Sequence, residues 1–436
     1  MNVGRTGQRR SHALLSGSSV FLAANLLTGA LWFALLPVLA RFMAPAEYGE
    51  AAMFSTVVAA LGSVVGLNAV PATARRYYDG LPDGELAQFI GACLQILVAS
   101  GAVCLVAVLA FREPLSALLG VSAHWLPWAV VAAGFAAIVQ LRLVQWQVRG
   151  RAWPYAVLQV GEAALGASLS LVLIVAFARG AAGRIEAILV GGAIAASVAL
   201  ALLRRGGLLR RPAWRPQHLK DALQYGVPLV PHIAAAIVLT TADRVVVTSK
   251  LGLAQAGIYL LAAHVAQGAM LVFDAINKAF VPWLFERLKA GEAHVQRRIV
   301  RYTYGWFAVL LAGALAGFVV GPWLVRLVGG ERYAAAGSAI GWLLLGQVFA
   351  GMYLMVTNYL YYAKRTGLLS TVTVASGALQ VALLLVLAPR LGIRGAAMAF
   401  SIAMAVRFVL TWWAAHKSHP MPWFSPVGGV TRTRAP

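Results

Sequence analysis

Acidic residues are scarce in this chain. Only 14 Asp and Glu stand against 36 Lys and Arg in 436 residues, a net charge of +22. Charge of either sign is sparse too, at 11% of residues against 61% hydrophobic, which is too little to solvate a soluble surface of this size. The chain has two cysteines, Cys93 and Cys104, placed on one predicted helix with about 16 Å of rise between them. That separation excludes a disulfide between them and leaves packing as their expected role. No phosphate-binding glycine loop followed by Lys-Ser or Lys-Thr occurs, so no built-in ATPase is expected. Neither His-x-x-x-His nor Cys-x-x-Cys appears, and no metal or cofactor is expected. No paired carboxylates occupy the first outer connection, and no outer connection is long enough for a catalytic domain. These gaps weaken an enzymatic reading. A cleaved leader is not expected either, because the first apolar run is too long and lacks a small-residue cleavage pattern.

What the chain does contain is long apolar runs. They lie near 14–40, 49–70, 86–110, 121–144, 153–178, 184–203, 222–248, 255–282, 300–324, 336–361, 367–388 and 393–415. Most reach roughly 20 residues, enough to cross a hydrocarbon core as helix. The expected fold is therefore all-α and integral to a membrane, with about 12 transmembrane helices.

The cations fall in alternate gaps. One side holds 25 of the 36, among them Arg75, Arg76, Arg142, Arg149, Arg151, Arg204, Arg205, Arg210, Arg211, Lys278, Arg287, Lys364, Arg432 and Arg434. The opposite side holds nine, including Arg41, Arg112, Arg184 and Lys250. By the positive-inside rule the richer side, with both termini, is cytoplasmic. A charge of +22 in short connections beside apolar spans reflects topology and anionic lipid, so nucleic acid is not an expected partner.

The longest connection, 204–221, divides the chain into six spans and six, with expected bundles at 1–212 and 213–436. The halves echo each other. Arg41 with Gly49 follows the first span of one half, and Lys250 with Gly257 follows the first span of the other. An even number of spans per half inserts both halves the same way up, although glycine and arginine also recur at helix ends without duplication. Prolines at or inside spans, densest at Pro228 and Pro231, fit a bending bundle but occur in static helices as well.

Ionisable groups within spans are the sharpest functional lead, since each is costly in hydrocarbon. In the eighth span His264, Gln267, Asp274 and Lys278 share one stripe, with Asp274 and Lys278 spaced to pair. The stripe reads either as a cavity lining or as a pair snorkelling to the surface. Asp243 and Arg244 are neighbours that point about 100° apart, so each needs another partner: a helix or a substrate. Arg407 is a lone cation in the last span, able to meet a phosphate or an acid such as Glu162. Glu162, in the fifth span, is the candidate for a coupling ion, with a structural carboxyl as the alternative. Arg41 and Asn25 complete the candidate binding set. Polar groups at Asn68, Gln347, Thr357, Asn358, Thr373, Ser376 and Gln380 suit a sugar or a neighbouring helix equally.

Three stretches carry a family resemblance. Residues 39–54, "LARFMAPAEYGEAAMF", resemble the first-to-second-span segment of bacterial polysaccharide exporters, which include the O-antigen flippases. Residues 223–262 resemble that family's seventh-to-eighth-span segment through Gly226/Pro228, Asp243/Arg244 and Gly257/Tyr259, and 390–399, "RLGIRGAAMA", resembles the approach to its final span. The resemblance implies the superfamily that also holds multidrug antiporters and peptidoglycan-precursor flippases. It implies two six-helix bundles around a central cavity. It also implies translocation of an undecaprenyl-diphosphate-linked oligosaccharide across the inner membrane for lipopolysaccharide or related surface glycans. Expected partners are that lipid-linked glycan, membrane lipids and polysaccharide-assembly proteins. The first span contains no acid, a departure from the antiporter branch. Cation-coupled small-molecule export and a membrane polymerase or ligase remain the alternatives.

Overall fold

The computed structural model describes residues 3–62, 64–80, 82–209, 215–290 and 292–423. Arg210, Arg211, Arg432 and Arg434 of the charge count lie outside the described residues, as does the side chain of Pro231. All regular structure among the described residues is helical. In order the helices are α1 (Val3–Phe42), α2 (Pro45–Leu61), α3 (Ala69–Tyr78), α4 (Asp83–Ala110) and α5 (Arg112–Leu119). Then come α6 (Leu126–Val148), α7 (Ala152–Leu171), α8 (Gly180–Arg205), α9 (Pro216–Gly226) and α10 (Val230–Leu251). The last four are α11 (Leu253–Ala290), α12 (Ala293–Gly329), α13 (Gly337–Tyr362) and α14 (Thr366–Ser418). A lipid-embedded backbone has no water to bond, and helix satisfies every amide within its own segment. Nine helical stretches among the described residues are long and apolar enough to cross a membrane. One of them, in α14, holds two predicted spans, because Gly392 with φ +62° breaks the helix between them. Only glycine takes that left-handed conformation without strain.

Two expectations change. The span read at 49–70 is helical only to Leu61; Gly66, Leu67 and Asn68 are left-handed before α3 resumes at Ala69. The Gly66 amide at this break donates to Ser100 Oγ on α4 at 2.8 Å. Arg142 and Arg184, read as connection residues, are instead buried inside α6 and α8. Both lie within two turns of an expected span end, where apolar periodicity cannot fix a boundary.

The chain forms two compact units, Met1–Ile258 and Tyr259–Pro436. In the first, small residues let helices approach closely, as lipid-embedded packing favours. Ala195, Ala196 and Ala199 of α8 pack on Val139, Leu143 and Trp146 of α6 and on Leu158 of α7. At the start of α2, Glu47 accepts the Ala44 amide at 2.8 Å and Glu50 accepts from the Ser122 amide at 2.9 Å. The first carboxylate caps its helix and the second pins the turn before α6. Cys93 is buried with its thiol directed at the Ala69 carbonyl, and both cysteines are free. In the second unit an aromatic core of Phe307, Phe408, Tyr304, Trp412 and Trp423 joins α12 to α14 and the segment after it. Tyr304 closes it by donating its hydroxyl to the Trp423 carbonyl at 2.7 Å.

Candidate functional site

In the first unit the sequence places Asp243 and Arg244 side by side on α10, and the helical turn separates them. Asp243 is buried, and its Oδ1 accepts the Arg244 backbone amide at 2.9 Å. The half-buried Arg244 guanidinium turns instead to α2 and donates to Thr56 Oγ1 at 2.9 Å. That oxygen can accept because Thr56 spends its own proton on the Ala52 carbonyl. None of the ion pairs among the described residues includes Arg244.

In the second unit Arg407 of α14 has the same character. Its Nη2 donates to Tyr353 Oη at 2.9 Å and to Thr373 Oγ1 at 3.3 Å. Its guanidinium carbon lies 4.0 Å from the centre of the Tyr353 ring. Nε is buried with no hydrogen-bond partner among the described residues. Hydroxyls and a ring face orient a guanidinium without neutralising it. Within the second unit Arg407 is held by neutral oxygens.

The α11 stripe divides. Lys278 Nζ and Asp274 Oδ2 pair at 2.6 Å, both well exposed. Gln267 is exposed and His264 half-buried. One residue from Lys278, Asn277 accepts from Asn358 Nδ2 of α13 at 2.8 Å, so that face of α11 is a helix–helix tie. Asn25 is also a tie: its Oδ1 accepts from Gln159 Nε2 of α7 at 2.9 Å. Arg41 is exposed in the last turn of α1.

Tyr353 escaped the sequence reading, since a tyrosine in an apolar run looks like packing. Arg184 escaped it too: buried in α8, it donates to Ser170 Oγ and lies 4.4 Å from the Trp32 ring centre. A polar cleft of about 230 Å³ is lined by Arg75, Arg76, Asp79, Phe89, Asp221 and Tyr225. Its opposed charges pair within it: Arg76 reaches both Asp79 and Asp221.

Residues 14–287 match the model of the family described as polysaccharide biosynthesis protein. The "Lsg locus putative protein 1" of Haemophilus influenzae is 24% identical over 376 residues, covering 85% of this chain and 90% of that one. Among solved structures, the lipid II flippase MurJ in an inward closed conformation superimposes with a TM-score of 0.75 at 13% identity, over 90% of this chain and 87% of that one. An inward-facing multidrug-resistance transporter of the MATE family gives 0.62 at 16% identity, over 93% and 97%. At these identities the structural likeness shows the fold: the helical membrane architecture of flippases and transporters.

Proposed function

Because the chain belongs to the polysaccharide biosynthesis protein family, we propose that it is a flippase for a prenyl-diphosphate-linked oligosaccharide serving surface polysaccharide assembly, of the O-antigen type. It would sit in the bacterial inner membrane with both termini cytoplasmic, the orientation that the cation asymmetry favours. The halves 1–212 and 213–436 would work by alternating access, which moves a polar cargo without exposing unbonded backbone to lipid.

The observation that carries this reading is the way the two intramembrane arginines are held. The guanidinium groups of Arg244 and Arg407 bond to hydroxyls, and neither forms an ion pair among the described residues. An uncompensated guanidinium in a span is costly, and a diphosphate removes that cost while it is bound. Neutral holders keep each cation oriented but release the anion again, as transport requires. The fold of the lipid II flippase supports the same class of cargo. The test is complementation of a deletion strain. The wild-type gene is expected to restore surface glycan, and Arg244→Ala and Arg407→Ala, expressed at normal levels, are expected not to. Unchanged glycan with both variants would overturn the assignment. Altered drug accumulation with intact glycan would support cation-coupled export instead.

A further inference from the structure

A second cationic feature lies on the face of the first unit made by α6, α7 and α8. Arg142 of α6 is only 6% exposed, and its guanidinium carbon lies 4.0 Å from the Trp146 ring centre. No described residue hydrogen-bonds to that guanidinium or forms an ion pair with it, and its Nε is buried without a partner. Its terminal nitrogens reach the C-terminal end of α8 beside Gly206. Arg149 and Arg151 add their positive field, and Arg204 and Arg205 close the last turn of α8. A buried arginine that pairs with no acid among the described residues is unusual, because desolvating the charge is repaid only by an anion or strong acceptors.

Trp146 has a second role. It lines a largely apolar groove of about 550 Å³ together with Trp153, Val157, Gly161, Leu165 and Ile194, and Glu162 is the one acid in that lining, nine residues along α7 from Trp153. The groove's outer lip is exposed, with Trp153 at 72% and Val157 at 69%. From Trp153 to Leu165 the α7 wall rises about 18 Å, close to the depth of one leaflet's hydrocarbon. The cations lie at one end of this groove, where α6 and α8 end and α7 begins. Tryptophans at that level match the interface where headgroups sit.

We infer that this face binds one anionic phospholipid, its phosphate at Arg142 and an acyl chain along the groove between α7 and α8. Charge selects the headgroup: Arg142 forms no ion pair with any described residue, so a headgroup with net negative charge is favoured over a zwitterionic one. The groove's one-leaflet depth and membrane-facing lip suit a chain entering from the bilayer. Such a lipid would be a bound structural or regulatory component, separate from any transported cargo.

The test uses the purified full-length protein in a neutral detergent, with native mass spectrometry to read retained lipid and a melting curve to read folding. Dioleoyl phosphatidylglycerol is expected to be retained in preference to dioleoyl phosphatidylcholine. Arg142→Gln is expected to weaken that retention about tenfold, the loss of one charge-assisted hydrogen-bonding group. Gly161→Leu, where an added Cβ meets nothing within 4 Å, fills the groove without touching an arginine and is expected to weaken it as well. Equal retention of the two lipids overturns the site. So does wild-type retention by folded Gly161→Leu, which decides the matter even if Arg142→Gln does not fold. Inorganic phosphate that raises the melting temperature as far as the phosphatidylglycerol does would show that the groove has no part. Transport is not the readout, so failure here leaves the flippase reading untouched.

Discussion

Gly49 and Gly257 face each other backbone to backbone. A Cβ built on Gly49 would come within 3.0 Å of the Gly257 nitrogen, and one built on Gly257 within 3.0 Å of the Gly49 nitrogen. The relationship is reciprocal a second time, since each Cβ would also strike the carbonyl four residues before the other glycine, at Leu253 and Pro45. The first turns of α2 and α11 therefore cross at these two glycines. Gly257→Ala and Gly49→Ala are each expected to destabilise by about 1–3 kcal/mol through overpacking. A lowered melting temperature in detergent checks this, and Gly101→Ala, where only the Val65 side chain lies near, serves as the neutral control.

Arg76 and Asp221 offer a second test. They meet at 2.8 Å and join α3 to α9, beside Arg75 stacked 5.6 Å from the Tyr225 ring centre. Both partners are partly exposed, so solvent screening limits the pair to about 1 kcal/mol or less. Asp221→Arg is expected to destabilise by more than that, because three arginines then crowd one cleft. The double exchange Arg76→Asp with Asp221→Arg is expected to recover most of the loss. A double-mutant cycle on melting temperatures measures the coupling, and additivity of the two single changes would remove the latch.

Tyr353 separates orientation from charge at Arg407. Tyr353→Phe keeps the ring under the guanidinium but removes the hydroxyl that accepts from Nη2. Transport is expected to fall several-fold with an unchanged melting temperature, whereas Arg407→Ala is expected to abolish it. Equal effects of the two variants would assign Arg407 a purely structural role.

His419 follows α14 and packs against Tyr362 at 5.4 Å between ring centres. Burial pushes its imidazole below the usual pKa of 6.5, so the folded state binds fewer protons there than the unfolded chain. Its contribution to stability is present above pH 6.5 and is lost as pH falls below that value toward the depressed folded pKa. His419→Gln is expected to flatten this acid-side slope of the melting temperature while leaving the alkaline side unchanged.

The spans were legible because lipid demands long apolar helices, and their order carries through from α1 to α14. The motif residues were legible as well, but for a reason that only the structure supplies. Glu47 caps α2, Glu50 holds Ser122, Gly226 presses on the Leu67 carbonyl and Tyr259 is fully buried, so these parts of the resemblance mark packing. The break at Gly66–Asn68 was hidden, since hydropathy runs through it without a proline. Arg142 and Arg184 were hidden by their nearness to span ends. The partners of Arg407 were out of reach because Thr373 and Tyr353 come to it from other helical segments, 34 and 54 positions away.

The central claim is that intramembrane arginines held by neutral oxygens grip a diphosphate during its passage. It is tested most directly with the purified protein in proteoliposomes and a fluorescent prenyl-diphosphate oligosaccharide, by following how much of it becomes accessible to a membrane-impermeant quencher. The wild type is expected to expose the inner-leaflet pool, Arg407→Lys to do so more slowly, and Arg407→Ala and Arg244→Ala to leave it protected. Wild-type exchange by both alanine variants, each folded and correctly inserted, would contradict the account.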